Sequence, residues 1–386
     1  MKIAYFDYAS ASPVDSRVID SMLPYLTKSY ANPSSIHTLG REAMRSLEEA
    51  RGNVASLINA KGEEIVFTSG GTESNNLALM GVALRNKDRG NHIITSAIEH
   101  VSILDTCTFL EKNGFNITYI PVDRFGLVNP EDVKKAITDK TVLISVMYAN
   151  NEIGTVQPIR EIGKIARAHQ IPFHVDAVAV LGKVPVDVEQ DNIDLLTISA
   201  NEIYGPRGVG ALYVKKGTRI EPILHGGGQE RKLRSGTENI AGAIGFGKAS
   251  RLAKEYLASE SERLRRLRDK TIDAILKSIE SSYLNGHPSK RIPSNVNIRF
   301  SYIEGESLLL NLDMEGIAAA TGSACTSKTL EPSYVLIAIG LKHEEAHGSL
   351  QLTYGKDTAE EDVDRLIQVL PGIVKKLRAM SPLTPT

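Results

Sequence analysis

The sequence predicts an α/β protein: a large αβα domain built on a mostly parallel sheet, and a smaller α+β domain. Three observations predict it. Between residues 15 and 255, short runs rich in Val, Ile and Leu alternate with longer amphipathic segments. The short runs lack strict polar alternation, as strands buried on both faces of a parallel sheet do. Composition then shifts at about residue 255, where segment 259–281 becomes strongly charged with apolar residues at helical spacing.

The strands are expected at 64–68, 92–96, 116–121, 141–149, 173–176, 195–199 and 210–214. Between them, helices are expected at 72–85, 100–113, 130–137 and 159–169. Strand–helix alternation of this kind builds layered αβα domains. Beyond 255 the reading is a long exposed helix at 259–281, a strand at 295–300, a helix at 306–312 and a closing amphipathic helix at 359–379. The large domain is thus placed at 15–255, and the smaller one at 256–386 together with 1–14.

Composition narrows the function. The 386 residues suit two or three domains at about 150 residues each. With 45 Lys+Arg against 46 Asp+Glu, the chain is not a general nucleic-acid binder or a polybasic membrane-surface protein. No apolar run reaches the roughly 18 residues a membrane span needs, and the first residues lack the apolar stretch of a signal peptide. Only Cys107 and Cys325 occur, so there is no disulfide framework, and no Cys/His cluster has zinc-site spacing. A cytoplasmic enzyme, or a relative of one, is expected.

Five stretches carry candidate chemistry. Thr68-Ser-Gly-Gly-Thr-Glu-Ser-Asn75 follows a strand and opens a helix; it reads as a phosphate cradle or as a plain tight turn. His100 follows the 92–96 strand, placed to stack on a flat cofactor, to act as acid or base, or merely to cap a helix. Asn150-Asn-Glu-Ile-Gly154 lies at another strand end. Asp176 ends a buried strand, where ligands of parallel sheets sit; it suits a pyridinium nitrogen or a helix cap. Arg234-Ser-Gly-Thr237 is a further possible anion site.

Taken in order, these motifs resemble the cysteine desulfurases of the NifS/IscS type, within the class V aminotransferase family and the aspartate aminotransferase-like (fold-type I) pyridoxal-phosphate proteins. The resemblance runs through Phe6-Asp-Tyr-Ala-Ser10, Asn32-Pro-Ser-Ser-Ile-His37, Ser69-Gly-Gly-Thr-Glu-Ser74, His174-Val-Asp-Ala177, Ile203-Tyr-Gly-Pro206, Gly226-Gly-Gly-Gln-Glu230 and Gly322-Ser-Ala-Cys-Thr-Ser327. It implies the pyridoxal-phosphate-dependent transferase fold and pyridoxal 5'-phosphate as cofactor. Gly71, Thr72 and Ser199 would hold the phosphate, with Thr237 reaching that of the neighbouring subunit, so a homodimer is implied. His100 would stack on the ring and act catalytically, Asp176 would pair with the ring nitrogen, and Asn151 would face the ring oxygen. L-cysteine is the implied substrate. Cys325, on a loop of the small domain, would carry the persulfide sulfur to an iron–sulfur scaffold protein of the IscU type.

Four positions depart from that pattern. Where the family carries the lysine that tethers the cofactor, this chain has Glu202, and a carboxylate has no amine with which to form a Schiff base. Asn201 replaces a histidine, and Ala179 a glutamine that bonds the cofactor's ring oxygen. Gln351 replaces the arginine that grips the substrate carboxylate; losing such a charge-assisted contact costs about 1.5–3 kcal/mol. Lys183 and Lys328 are other available amines, and neither is expected to take over. Glu202 also brings a negative charge toward the phosphate, which weakens binding unless it is neutralised or turned away.

The setting of Cys325 is intact: small residues surround the thiol, and Lys328 nearby favours thiolate. One thiolate cannot hold an iron–sulfur cluster, so as a metal ligand Cys325 would share the cluster with a partner. Cys107, on an apolar helix face, reads as a buried hydrophobe. The expectation is a desulfurase homologue impaired in cysteine desulfurization. It would serve as a dimeric platform supplying Cys325 as sulfur acceptor or cluster ligand, with cofactor bound noncovalently or as the pyridoxamine form. The alternatives are a working desulfurase that converts L-cysteine to L-alanine and persulfide sulfur, and a related pyridoxal-phosphate lyase or aminotransferase.

Overall fold

The computed structural model describes residues 3–322 and 332–382. In chain order its regular elements begin with β1 (Ala4–Tyr5), α1 (Ser16–Thr27), α2 (Thr38–Leu57), β2 (Ile65–Thr68), α3 (Gly71–Asn86), β3 (His92–Ser96), α4 (Val101–Lys112) and β4 (Asn116–Ile120). There follow α5 (Pro130–Ala136), β5 (Thr141–Ser145), α6 (Ile159–Ala168), β6 (Phe173–Asp176), β7 (Leu195–Ser199), β8 (Gly210–Val214) and α7 (Ile240–Ser278). The chain closes with β9 (Ser282–Leu284), β10 (Asn295–Phe300), α8 (Gly305–Met314), β11 (Ile317–Ala318), α9 (Tyr334–Ala338), α10 (His343–His347), β12 (Ser349–Thr353) and α11 (Glu360–Met380).

Seven strands form one sheet in the order β2-β8-β7-β6-β5-β3-β4. β3 pairs in parallel with β4 and β5, β5 with β6, and β6 with β7; only β8 runs against its neighbours β2 and β7. Six strands therefore point the same way. The inner strands are buried along their length, as their unbroken apolar runs require, while edge strand β4 is half exposed. Local chemistry sets the helix ends. Asn129 caps α5, Pro130 occupies its first turn, and Glu131 with Asp132 precede Lys134 with Lys135, which matches the helix dipole.

Two expectations need correction. The strand expected over 141–149 ends at Ser145; Val146 and Tyr148 still donate to the His174 and Asp176 carbonyls, but the chain then turns toward the Ala149–Val156 bridge. The charged segment 259–281 is no separate exposed helix. It is the second half of α7, whose 39 residues bury Phe246, Ala249 and Leu252 near one end and Leu264, Leu267 and Ile275 near the other. The composition change marks the point where α7 leaves α2 and begins to cover the second core. At Gly247 a Cβ would stand 2.7 Å from the Ala50 backbone, so α7 and α2 touch main chain to main chain.

That second core lies between a three-stranded antiparallel sheet, β12-β10-β9, and helices α7, α8 and α11. The N-terminus joins it: β1 pairs with β11, the Phe6 carbonyl accepts from Thr353 N, and Phe6 packs edge-on against Tyr354.

A buried ion pair fastens α2 to the sheet. Arg51 and Glu230, whose side chains are 4% and 3% exposed, form a bidentate pair at 2.6 and 2.9 Å. Arg51 also donates to the Ile65 carbonyl, and Glu230 accepts from Phe67 N, so every polar atom of the pair is used. Breaking such a pair strands a charge in the interior. Glu230→Ala is expected to cost about 3–5 kcal/mol in urea unfolding. Glu48→Ala, which removes a half-exposed partner of the same arginine, is expected to cost less than about 1 kcal/mol.

Candidate functional site

One cavity of about 480 Å³ opens at the carboxyl ends of the parallel strands, and nearly all of the singled-out residues line it. Gly71, Thr72, His100, Asn151, Asp176, Ser199, Ala179, Asn201, Glu202 and Gln351 are all there. Thr237 is exposed and outside this lining, and Cys325 and Lys328 lie outside the described residues. The chain on the near side of Cys325 leaves from the cavity itself, since Gly322 lines it.

β2 hands the chain to α3 at the tight turn Gly70–Gly71. A Cβ at Gly71 would meet the Val178 side chain at 2.9 Å, and one at Gly210 would meet the Gly70 backbone at 2.7 Å, so only glycines allow this approach. The first N–H groups of the 16-residue helix α3 thereby form one wall of the cavity beside the Thr72 hydroxyl. Glu73 in that turn does not spoil the site for an anion. Burial alone would lift its carboxyl, but Arg234 at 2.9 Å and Ser69 N at 2.7 Å hold it below the usual range. Arg234 is thus engaged by Glu73 and clasps this turn.

A hydrogen-bond chain sets the flat part of the cavity. Asn75 Nδ2 donates to Asp176 Oδ2 at 2.7 Å and to Ser102 Oγ at 2.9 Å. Ser102 faces His100 Nδ1 at 2.8 Å, and Ser102 N donates to the same ring atom. With the Asn75 amide donating to Ser102 Oγ, the hydroxyl donates onward, so Nδ1 accepts and Nε2 carries the ring proton. Asp176 Oδ1 accepts from Val178 N. His100 is also the N-cap of α4, as its helix-cap reading expected, and its ring lines the cavity. Asn75 Oδ1 is buried with no partner among the described residues, an unmet acceptor beside the cavity.

Ala179, Asn201, Glu202 and Gln351 share this lining, and Lys183 joins them there. Glu202 Oε2 stands 2.7 Å from Lys183 Nζ, with the two side chains 8% and 14% exposed. Lys183 Nζ also donates to the Ala179 carbonyl at 3.2 Å. The Glu202 charge is therefore answered, and the repulsion expected from a lone carboxylate does not arise. Ser199 Oγ donates to Asn201 Oδ1 at 2.5 Å, and Ser12 reaches the Asn201 carbonyl. Gln351 Nε2 donates to the Asn151 carbonyl at 2.7 Å, so its amide is tied down and brings no charge to the cavity.

Two buried acids escaped the sequence reading. Glu99 accepts from Ser96 Oγ and Met147 N, and burial pushes its carboxyl up to about 8. Glu152 accepts from Ser333 Oγ at 2.7 Å and lies against Gly322; burial pushes it up to about 7. Glu152 stands within the Asn150–Gly154 stretch and Glu99 directly before His100, but nothing in a sequence says that a Glu is dry. His174, between Ser145 and Thr197, is pulled down to about 3 by burial and is structural. Cys107 is fully buried, as expected.

The residues present fit a pyridine phosphate: a helix N-terminus with a hydroxyl, an orienting carboxylate at a strand end, a histidine set by its own hydrogen bonds, and an unmet acceptor. Among the described residues, no group of three or more His, Cys, Asp or Glu could hold a metal ion. No helix among them is long and apolar enough to cross a membrane.

Comparison with known proteins agrees with this architecture. The model of the aminotransferase class-V family matches residues 4–366. A cysteine desulfurase, IscS 1, of Archaeoglobus fulgidus is 58% identical over 98% of this chain and 99% of its own length. The cysteine desulfurase IscS of Methanosarcina thermophila is 53% identical over 100% of this chain and 95% of its own. Among solved structures, a NifS-like protein superposes with a TM-score of 0.91 at 35% identity, covering 98% of this chain and all of the other.

Because the folded chain keeps a proton on Glu152 that the unfolded chain releases, its stability falls as pH rises from 4.5 toward about 7. Glu152→Gln, neutral at every pH, is expected to match the parent at about pH 4.5. At about pH 8.5 it should exceed the parent by up to about 3 kcal/mol. Urea unfolding at both pH values measures this, and equal stabilities at the higher one would refute the dry carboxyl.

Proposed function

Because the chain belongs to the class-V aminotransferase family, among relatives named cysteine desulfurases, we propose that it is a desulfurase homologue of iron–sulfur cluster assembly that has lost standard cysteine desulfurization. It keeps the cofactor pocket and acts as a homodimeric platform, supplying Cys325 to a scaffold protein as sulfur acceptor or cluster ligand. The observation that carries this reading is the contact between Glu202 and Lys183: the position that should offer an amine offers a carboxylate, and that carboxylate is already engaged.

When bound, pyridoxal phosphate supplies the electron sink that stabilises negative charge at a substrate carbon. The chain's own residues would divide the binding. The N–H groups and hydroxyl at Gly71 and Thr72 hold the phosphate, with Ser199 at its side. Asp176, oriented by Asn75 and Val178 N, holds a proton at the ring nitrogen. His100 covers the ring. Asn151 faces the ring oxygen, while Ala179 offers no side-chain hydrogen bond there.

Two losses fall on the chemistry. Without an amine at 202, that position cannot tether the aldehyde, shuttle a proton at the substrate carbon, or displace the product. Without a guanidinium at 351 the substrate carboxylate has only a neutral amide already bonded to the Asn151 carbonyl. The name carried by the relatives favours a second reading, a working desulfurase, which sulfide release at an enzyme-like rate would sustain.

On the proposed reading, the protein binds pyridoxal phosphate in a form that gel filtration in competing phosphate removes. Borohydride leaves no covalent adduct, and sulfide release from cysteine stays far below about 1 per second. Release at that rate or faster would overturn the impairment. Cys325→Ser is expected to abolish cluster or sulfur transfer with the scaffold, read by visible absorbance of the cluster, and to leave the dimer intact in gel filtration. Glu202→Lys alone is expected to restore little turnover, and the pair Glu202→Lys with Gln351→Arg to restore more.

A further inference from the structure

We propose that Lys183 is the nucleophilic amine of this cavity and that Glu202 masks it; the aldehyde partner named below rests on the reading of the pocket as a pyridoxal-phosphate site. Lys183 is the only lysine or arginine among the described residues that line the cavity. Its nitrogen lies 2.7 Å from Glu202 Oε2 and 3.2 Å from the Ala179 carbonyl, and both side chains of the pair are largely dry. A lysine at position 202 would carry its nitrogen one bond farther out than the glutamate oxygen. The Lys183 nitrogen stands a single hydrogen bond from that same oxygen, so an amine is present at the place from which one has been lost.

Its approach is built in. Ala179 has no side chain beyond Cβ, and its carbonyl takes one of the lysine's hydrogens. The Lys183 carbonyl accepts from Ser261 Oγ and its N–H donates to the Val180 carbonyl, which fix the backbone from which the side chain reaches in. Glu202 in turn is steadied by Asn201 Nδ2 at 3.4 Å. While Glu202 and the Ala179 carbonyl engage its hydrogens, that nitrogen is turned onto them and not offered to a ligand in the cavity. The substitution at 202 therefore does two things: it removes one amine and silences a second.

Once Glu202 is neutral, Lys183 can give up its extra proton to solvent and attack the carbon of an aldehyde in the cavity. A carbon–nitrogen double bond forms and the carbonyl oxygen leaves as water, with no change of oxidation level. Borohydride then delivers hydride to that carbon and fixes the link as a secondary amine.

Two measurements on the full-length dimer test this. In the first, parent, Glu202→Gln and the double variant Glu202→Gln/Lys183→Ala are saturated with pyridoxal 5'-phosphate, binding is followed by absorbance, and borohydride-treated peptides are read by mass spectrometry. The expected result is a phosphopyridoxyl group on Lys183 in Glu202→Gln only. In the second, which needs no cofactor, competitive acetylation compares Lys183 with exposed Lys87, and the ratio is expected to rise about tenfold in Glu202→Gln, as loss of a charge-assisted hydrogen bond implies. Glu202→Ser serves in the same comparison if the glutamine variant does not fold. A tagged Lys183 in the parent would overturn the masking. An unchanged acetylation ratio would overturn it too, whatever the cofactor does. A risen ratio with no pyridoxal phosphate bound by any variant upholds the masked amine and instead removes the reading of the pocket.

Discussion

Six strands of the central sheet run in one direction, and the site depends on that constraint. Parallel pairing puts the ends of β2, β3, β5, β6 and β7 on one edge of the sheet, and the reversed β8 begins there with Gly210. Chain leaving each of these ends must turn, and the turns bring together residues far apart in sequence: Gly71 and Thr72, His100, Asn151, Asp176, then Ser199 to Glu202. The α3 N-terminus points into the same space. A cleft at that edge is the general place for a ligand in an open α/β sheet, and the antiparallel sheet β12-β10-β9 closes it by supplying Gln351 and Asn295.

Within the cleft, charge decides what survives. An isolated carboxylate at 202, 8% exposed, would carry an uncompensated desolvation cost and repel an anionic ligand. Lys183 meets it at hydrogen-bond distance, and Glu73 is met in the same way by Arg234 on the phosphate side. Both potentially hostile acids are neutralised by cations from other segments. On the proposed reading a missing tether is thus compatible with an anion site at α3, because the helix N–H groups and the charge balance do not depend on position 202 being an amine.

Much of this was legible in the sequence. Inner strands such as β3, β6, β7 and β8 were readable to the residue because continuous apolar runs bounded by turn residues have one simple solution. His100, Asp176 and Ser199 end or follow such runs, whereas it was the resemblance to a family that assigned the candidate residues, Gln351 inside β12 included, to one pocket. The full length of α7 was not legible: its surface changes from apolar to charged midway as it passes from one core to the other, and that change resembles a boundary. The partners of Lys183, Glu152 and Arg234 were not legible either. Each of those contacts joins segments between 19 and 181 residues apart, and no local pattern records them.

The physical consequence is that holding a flat phosphorylated ligand and reacting with it have separate supports in this molecule. The network that would hold the ring runs from Asn75 to Asp176 and through Ser102 to His100, with no hydrogen bond to Asn201 or Glu202 in it. On the proposed reading the reacting positions are Glu202, Lys183 and Gln351, and they are bonded to one another or to main chain rather than to that network. Interaction energies between groups that share no partner add nearly independently. On the proposed reading, changes at 202 and 351 remove turnover while the hydrogen bonds that orient His100 and Asp176 stay in place, which is the combination a platform protein requires.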